Sequence, residues 1–182
     1  MPSKSLSKVS KHISKKKGAK MNSLHENSRD SQRLRRASAR DDKINRLSSA
    51  RAKMNRPFVQ RAKYFQTAAV EKGESEVFTD EEIHALIAEF LLRDAAELSL
   101  LQSSRRAGRP AATRDDQLTA KLALEEKEYV SGFWMPDVQD SVNLALLRNW
   151  SGEWVSLSTM KFVRMSRDGT RHESSFPPKG MS

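Results

Sequence analysis

The chain has 182 residues, a net charge of +10 and no cysteine, and hydrophobic residues make up 37% of it. That is enough for one modest core and not for two. A cysteine-free chain excludes a disulfide scaffold and any Cys-ligated zinc, and with it the zinc-finger and zinc-knuckle routes to nucleic acid.

No apolar run approaches the roughly 18 residues of a membrane span, and no apolar stretch follows the first basic residues as it would in a secretion signal. The expectation is therefore a chain that is neither secreted nor membrane-spanning. The charge is unevenly placed. The first 64 residues hold ten Lys and nine Arg against four acids (Glu26, Asp30, Asp41 and Asp42), a local net of +15, while the remainder carries −5. An isolated charge costs several kcal/mol to bury, so such a block stays solvated or lies against phosphate. In a soluble chain that phosphate is most often nucleic acid.

Residues 1–23, rich in Lys and Ser, read as a disordered basic arm, with Lys15, Lys16, Lys17 and Lys20 available to phosphate. The Lys15-Lys16-Lys17 cluster also fits a nuclear import signal. Over residues 24–56 the character changes. Asn27 or Ser28 suits a helix N-cap, and no Gly or Pro follows until Pro57. Leu34, Ala37, Ile44, Leu47 and Met54 collect in one apolar stripe, and the rest is basic all round. So thin an apolar face points to a groove of folded nucleic acid. The candidate contacts are His25, Asn27, Arg29, Arg33, Arg35, Arg36, Arg40, Lys43, Arg46, Arg51 and Lys53. Arg35-Arg36-Ala37-Ser38 also matches a basophilic kinase pattern, which Arg-rich helices produce by accident.

Residues 57–165 hold the packable sequence. Pro57 predicts a bend at the start of a following helix, whose apolar edge is Phe58, Ala62 and Phe65. Thr79 and Glu82 form a capping box, with Phe78 and Ile83 placed as its hydrophobic staple. Ile83, Leu86, Ile87, Phe90, Leu91, Leu98 and Leu101 then keep the helical period over about 22 residues. A third helix opens at Thr113-Arg-Asp-Asp116, carries Leu118, Leu122 and Tyr129, and stops before Gly132. Phe133 to Asp137 reads as an apolar loop, followed by a short helix ending near Trp150. Met160 to Met165 alternates apolar and basic residues, as an extended strand does. Lacking an evident partner strand, it is expected to lie extended on the bundle or on a partner, not in a sheet. Residues 166–182 read as a disordered tail. The fold class expected is all-α: a long basic N-terminal helix leading into a small helical bundle, with an extended C-terminal segment and disordered termini.

Chemistry is hard to place. His12, His25, His84 and His172 lie far apart, none at a metal-helix spacing with an acid. The carboxylate pairs Glu81-Glu82, Asp115-Asp116 and Glu125-Glu126 sit in first helical turns or on charged faces. There is no Gly-rich phosphate loop and no strand-turn-helix setting for a nucleophile elbow. The expectation is no enzyme, no metal and no cofactor. The aromatic cluster Phe133, Trp134, Trp150, Trp154 and Phe162 reads first as core packing. Its second reading is a partner surface made by Trp134, Trp150, Trp154, Phe162 and Arg164.

The run His25-x-Asn27-Ser28-Arg29-Asp30-x-x-Arg33-x-x-Arg36-Ala37, then Asp42-Lys43, Phe65-Gln66 and Thr79-Asp80-Glu81-Glu82, resembles the translation machinery-associated protein 16 family, most closely its fungal members. The likeness continues through Tyr129-x-x-Gly132-x-x-x-Pro136-Asp137, Leu147-Arg148-x-Trp150-x-Gly152 and Lys161-Phe162-Val163-Arg164. Glu26 stands where fungal members often have Pro. The resemblance implies a non-catalytic assembly factor that associates with precursors of the large ribosomal subunit (pre-60S particles) in the nucleus, nucleolus and nucleoplasm. Its partners would be large-subunit ribosomal RNA and ribosomal proteins or other assembly factors, with the chain monomeric within the particle and no membrane involved. Two other readings stay open: a DNA-binding or chromatin protein with a basic helix, disfavoured by Pro57 and by the lack of a leucine heptad, and a protein-only scaffold whose charge serves import.

Overall fold

The computed structural model describes residues 5–18, 24–73, 76–105 and 113–178. The chain divides into two compact units, Met1–Arg56 and Pro57–Ser182.

In the first unit, helix α1 (Leu6–Lys17) and the N-terminal part of α2 (Arg29–Lys72) form an antiparallel hairpin. Leu6, Val9 and Ile13 share one side of α1, and Ile13 is 1% exposed. Leu34 and Ala37 take up the facing side of α2. Charges complete the pairing at both ends. Ser5 makes no side-chain cap on α1. Instead the Leu6 N–H donates to Asp41 Oδ2 at 2.8 Å, which puts a carboxylate at the positive end of that helix. At its other end Lys17 Nζ lies 3.3 Å from Asp30 Oδ2, a cation at the negative end of α1 and an acid in the first turn of α2. Residues 6–17 are thus helical, where a disordered arm was expected. The cause is tertiary, because α1 has too few apolar residues to fold alone and gains its order from α2. Lys20 lies outside the described residues. Of the two residues expected to cap α2, Ser28 does so: its Oγ accepts from Ser31 N–H at 3.2 Å.

The second unit begins within α2. Pro57 lies inside this helix, so the separate helix expected to start there is instead part of one helical element. Ala62, Phe65 and Ala69 lie along one side of it and are fully buried. Helix α3 (Asp80–Leu92) follows, and its capping box forms: Thr79 N–H donates to Glu82 Oε2 at 2.8 Å and Glu82 N–H to Thr79 Oγ1 at 3.4 Å. The single helix expected over about 22 residues is two, α3 and α4 (Ala95–Ser103). Arg93 marks the break, its guanidinium 3.7 Å from the Phe90 ring centre and 2.6 Å from Glu125 on α5 (Thr113–Ser131). Gly132 follows α5 with φ +130°, and a Cβ there would meet Arg164 Cβ at 3.1 Å, so both conformation and space call for glycine.

The C-terminal region differs most from the expected all-α bundle. Strands β1 (Phe133–Pro136), β2 (Phe162–Met165) and β3 (Arg171–Ser174) form an antiparallel sheet in the order β1-β2-β3, so the fold is mostly helical with a small sheet and not all-α. Phe133 pairs with Met165 and Pro136 with Phe162, while Met165 pairs with Arg171. The extended segment expected to lack a partner has two. One came from the supposed loop, whose four residues are all buried and show no alternation. The other came from the supposed disordered tail, a short polar edge strand. Helix α6 (Ser141–Arg148) and a 3₁₀ turn (Val155–Thr159) connect β1 to β2, burying Leu144, Leu147 and Leu157.

Inside this core sits an ion pair. Arg61 Nη1 and Nη2 each donate to one oxygen of Glu128 at 2.8 Å, and both residues are under 8% exposed. Nη1 also donates to the Trp134 carbonyl at 2.9 Å, while the Trp134 N–H donates to Glu128 Oε1 at 3.1 Å. The guanidinium carbon lies 3.9 Å from the Phe133 ring centre. One of the nineteen cations assigned to a solvated block is therefore buried, and it joins α2, α5 and β1. Trp134 stacks on Phe162 at 4.3 Å with 9° between the planes and meets Phe58 edge-on at 5.3 Å.

Removing one member of the buried pair leaves an uncompensated charge. Arg61→Met or Glu128→Leu alone is expected to cost about 3–5 kcal/mol in urea unfolding, with the double substitution recovering most of it. Surface acids set the response to pH. The hydrogen bond from Lys161 holds the Asp140 carboxyl below its usual range, helped by the cap that Asp140 makes on Val142 N–H. A folded-state pKa below the unfolded one stabilises above the unfolded value, about 3.9 for Asp, and is lost as pH falls below it. Thermal melts should therefore show a shallower loss of stability below about pH 4 in Asp140→Asn than in the parent chain. In the first unit, Ile13→Asp should undock α1, so amide exchange over residues 6–17 becomes fast while that of residues 113–165 is unchanged.

Candidate nucleic-acid interface

On α2 the residues Arg29, Arg33, Arg36, Arg40 and Lys43 follow one another at spacings of four, three, four and three, and Arg51 continues the line eight residues on. At 3.6 residues per turn this is one stripe, about 33 Å long from Arg29 to Arg51. The side that meets α1 carries Asp30, Leu34, Ala37 and Asp41 at the same spacings, so packing of α1 leaves the basic stripe open. All six cations are exposed. Arg33 Nη1 lies 3.7 Å from Asp30 Oδ1. The other five have no ion pair among the described residues. Arg35, Arg46 and Lys53 form a second exposed row, in which Arg35 pairs with Glu26 at 2.6 Å.

Helix α1 adds Lys8, Lys11, Lys15 and Lys16, all exposed, whereas Lys17 is half-buried in its pair with Asp30. Two sequence candidates serve the turn into α2. His25 Nδ1 accepts from Asn27 N–H at 3.2 Å, and the Asn27 carbonyl accepts from Gln32 Nε2 at 3.4 Å. Ser38 is half-buried in mid-helix, so the kinase pattern falls on regular helix and not on an extended segment.

The structure brings together one feature the sequence reading did not contain. Val9, His12 and Ile13 of α1 face Arg33, Arg36, Ala37 and Arg40 of α2 across an open groove of about 480 Å³. The signal for it was the spacing of Leu6, Val9 and Ile13, hidden among the five lysines of α1. Beyond Asp41 the helix carries Ile44, Leu47 and Met54 at 48%, 50% and 72% exposure, so the apolar stripe read from the sequence is covered only in its first half.

The aromatic candidates separate. Trp134, Trp150 and Phe162 are buried in the second unit's core, in line with the core-packing reading and not with a partner surface. Trp150 Nε1 donates to the Glu153 carbonyl at 2.9 Å, which satisfies it internally. Trp154 keeps partial exposure beside Phe58 and Phe176, and Arg164 is half-exposed with Nη1 donating to the Gly132 carbonyl at 3.3 Å. Among the described residues no group of histidines and acids is arranged to hold a metal, and no helix is long and apolar enough to cross a membrane.

Residues 20–167 match the profile of a family described as translation machinery-associated protein 16. The translation machinery-associated protein 16 of Saccharomyces cerevisiae is similar to this chain at 33% identity over 169 residues, covering 91% of this chain and 93% of the yeast protein. The match takes in α2, the capping box and the first two strands of the sheet, and with identity at this level over nearly the whole length the chain belongs to the translation machinery-associated protein 16 family.

Proposed function

We propose that this chain is a non-catalytic ribosome assembly factor that binds precursors of the large (60S) subunit in the nucleus by laying the basic face of its α1–α2 hairpin on ribosomal RNA. The observation that carries this is the open stripe of Arg29, Arg33, Arg36, Arg40, Lys43 and Arg51. A stripe of one sign on a rigid helix costs self-repulsion in the free protein and gains its return against a polyanion. Family membership adds association with the translation machinery, which supports ribosomal RNA as the polyanion.

The six cations of the stripe set a magnitude. If all six neutralise phosphates, affinity for a structured large-subunit RNA fragment falls by about three orders of magnitude between 50 and 200 mM salt. Arg36→Ala with Arg40→Ala should lower the slope of log affinity against log salt by about two. A salt-insensitive association would contradict the reading. Charge reversal at Arg33, Arg35, Arg36 and Arg40 that left particle association intact, with import restored, would favour a protein-only scaffold.

A further inference from the structure

We infer that the groove between α1 and α2 receives an unpaired base of the bound RNA, so that the hairpin reads a bulge or loop and not duplex backbone alone. This rests on the RNA-binding reading above and specifies the ligand of the same face.

A surface that only tracks phosphates needs no cavity. Here the groove has an apolar floor, made by Val9, Ile13 and Ala37, and a rim of Arg33, Arg36, Arg40 and His12. Its volume of about 480 Å³ lies within the range of small-ligand sites, about 300–1,000 Å³. The chemistry of the walls selects the occupant. A flat ring of low charge suits the floor, and the guanidinium groups and the imidazole offer planes for stacking. The negative charge attached to such a ring falls on the rim, where Arg36 and Arg40 have no carboxylate partner among the described residues and belong to the basic stripe. A nucleotide extruded from a helix combines those two parts. A paired base cannot enter, because its ring stays in the stack. A purely apolar peptide would leave the charges of Arg36 and Arg40 unopposed.

The test uses the full chain and two RNA hairpins of equal length and charge, one with a single-nucleotide bulge and one with an abasic residue at that position, compared by fluorescence anisotropy at 100 mM salt. The bulged RNA is expected to bind about tenfold tighter, the scale of one base stacking on a protein platform. His12→Ala should reduce that ratio several-fold with the abasic affinity held within about twofold, and His12→Trp should restore it. Because His12 is exposed, neither change disturbs the helix packing. Equal affinities for the two hairpins, with the salt dependence retained, would overturn the base-capture proposal and leave backbone binding standing. Salt-insensitive or absent binding to both would overturn the RNA reading itself.

Discussion

Burying Arg61 obliges the second unit to be built around it. A guanidinium out of water is tolerated where its charge is opposed, and here Glu128 takes both ends of the fork and the Trp134 carbonyl a further bond, while Nε is left without a partner. Those partners lie on α5 and on β1 just after it, so α2 must meet a stretch some 67 residues further along the chain for the charge to be satisfied. The aromatic rings around it follow from the same requirement. Phe133 lies under the guanidinium, and Trp134 is pinned by its backbone to the pair while its ring stacks on Phe162 of β2. The pair therefore fixes where the sheet meets the helices, and apolar burial around it supplies the stabilisation that the pair alone does not.

In the first unit electrostatics work differently. Four acids are few against so many cations, and three of them are spent on structure: Asp41 on the start of α1, Asp30 on Lys17 and Arg33, and Glu26 on Arg35. What remains is the open stripe. The same sparse acids that let a short lysine-rich helix dock thus leave the neighbouring side of α2 uniformly positive, which is the property the proposed RNA contact requires.

Much of this was legible in the sequence. The capping box at Thr79 and the basic helix from Ser28 rest on interactions between residues a few positions apart, as does the positive φ of the glycine after α5 though not its contact with Arg164, and such local signals survive without knowledge of the fold. The features that were not legible depend on distant partners. Helix α1 has a helical spacing of three apolar residues diluted by lysine, and only α2 gives it a reason to fold. Strand β1 is a four-residue apolar run ending in Pro136, which resembles a loop until β2 is placed beside it. Arg61 looks like any other cation of the basic block until Glu128, 67 residues away, is found against it. The tryptophans could be assigned to core or surface only from burial, which put Trp134 and Trp150 inside.

The most direct measurement of the central claim is ultraviolet crosslinking of the tagged chain to RNA in cells, with both the attached RNA and the crosslinked residues identified. Reads are expected to concentrate in large-subunit ribosomal RNA, with adducts on α1 and on the Arg29 to Arg51 side of α2. Adducts confined to residues 57–178, or reads scattered over unrelated RNAs, would contradict that claim.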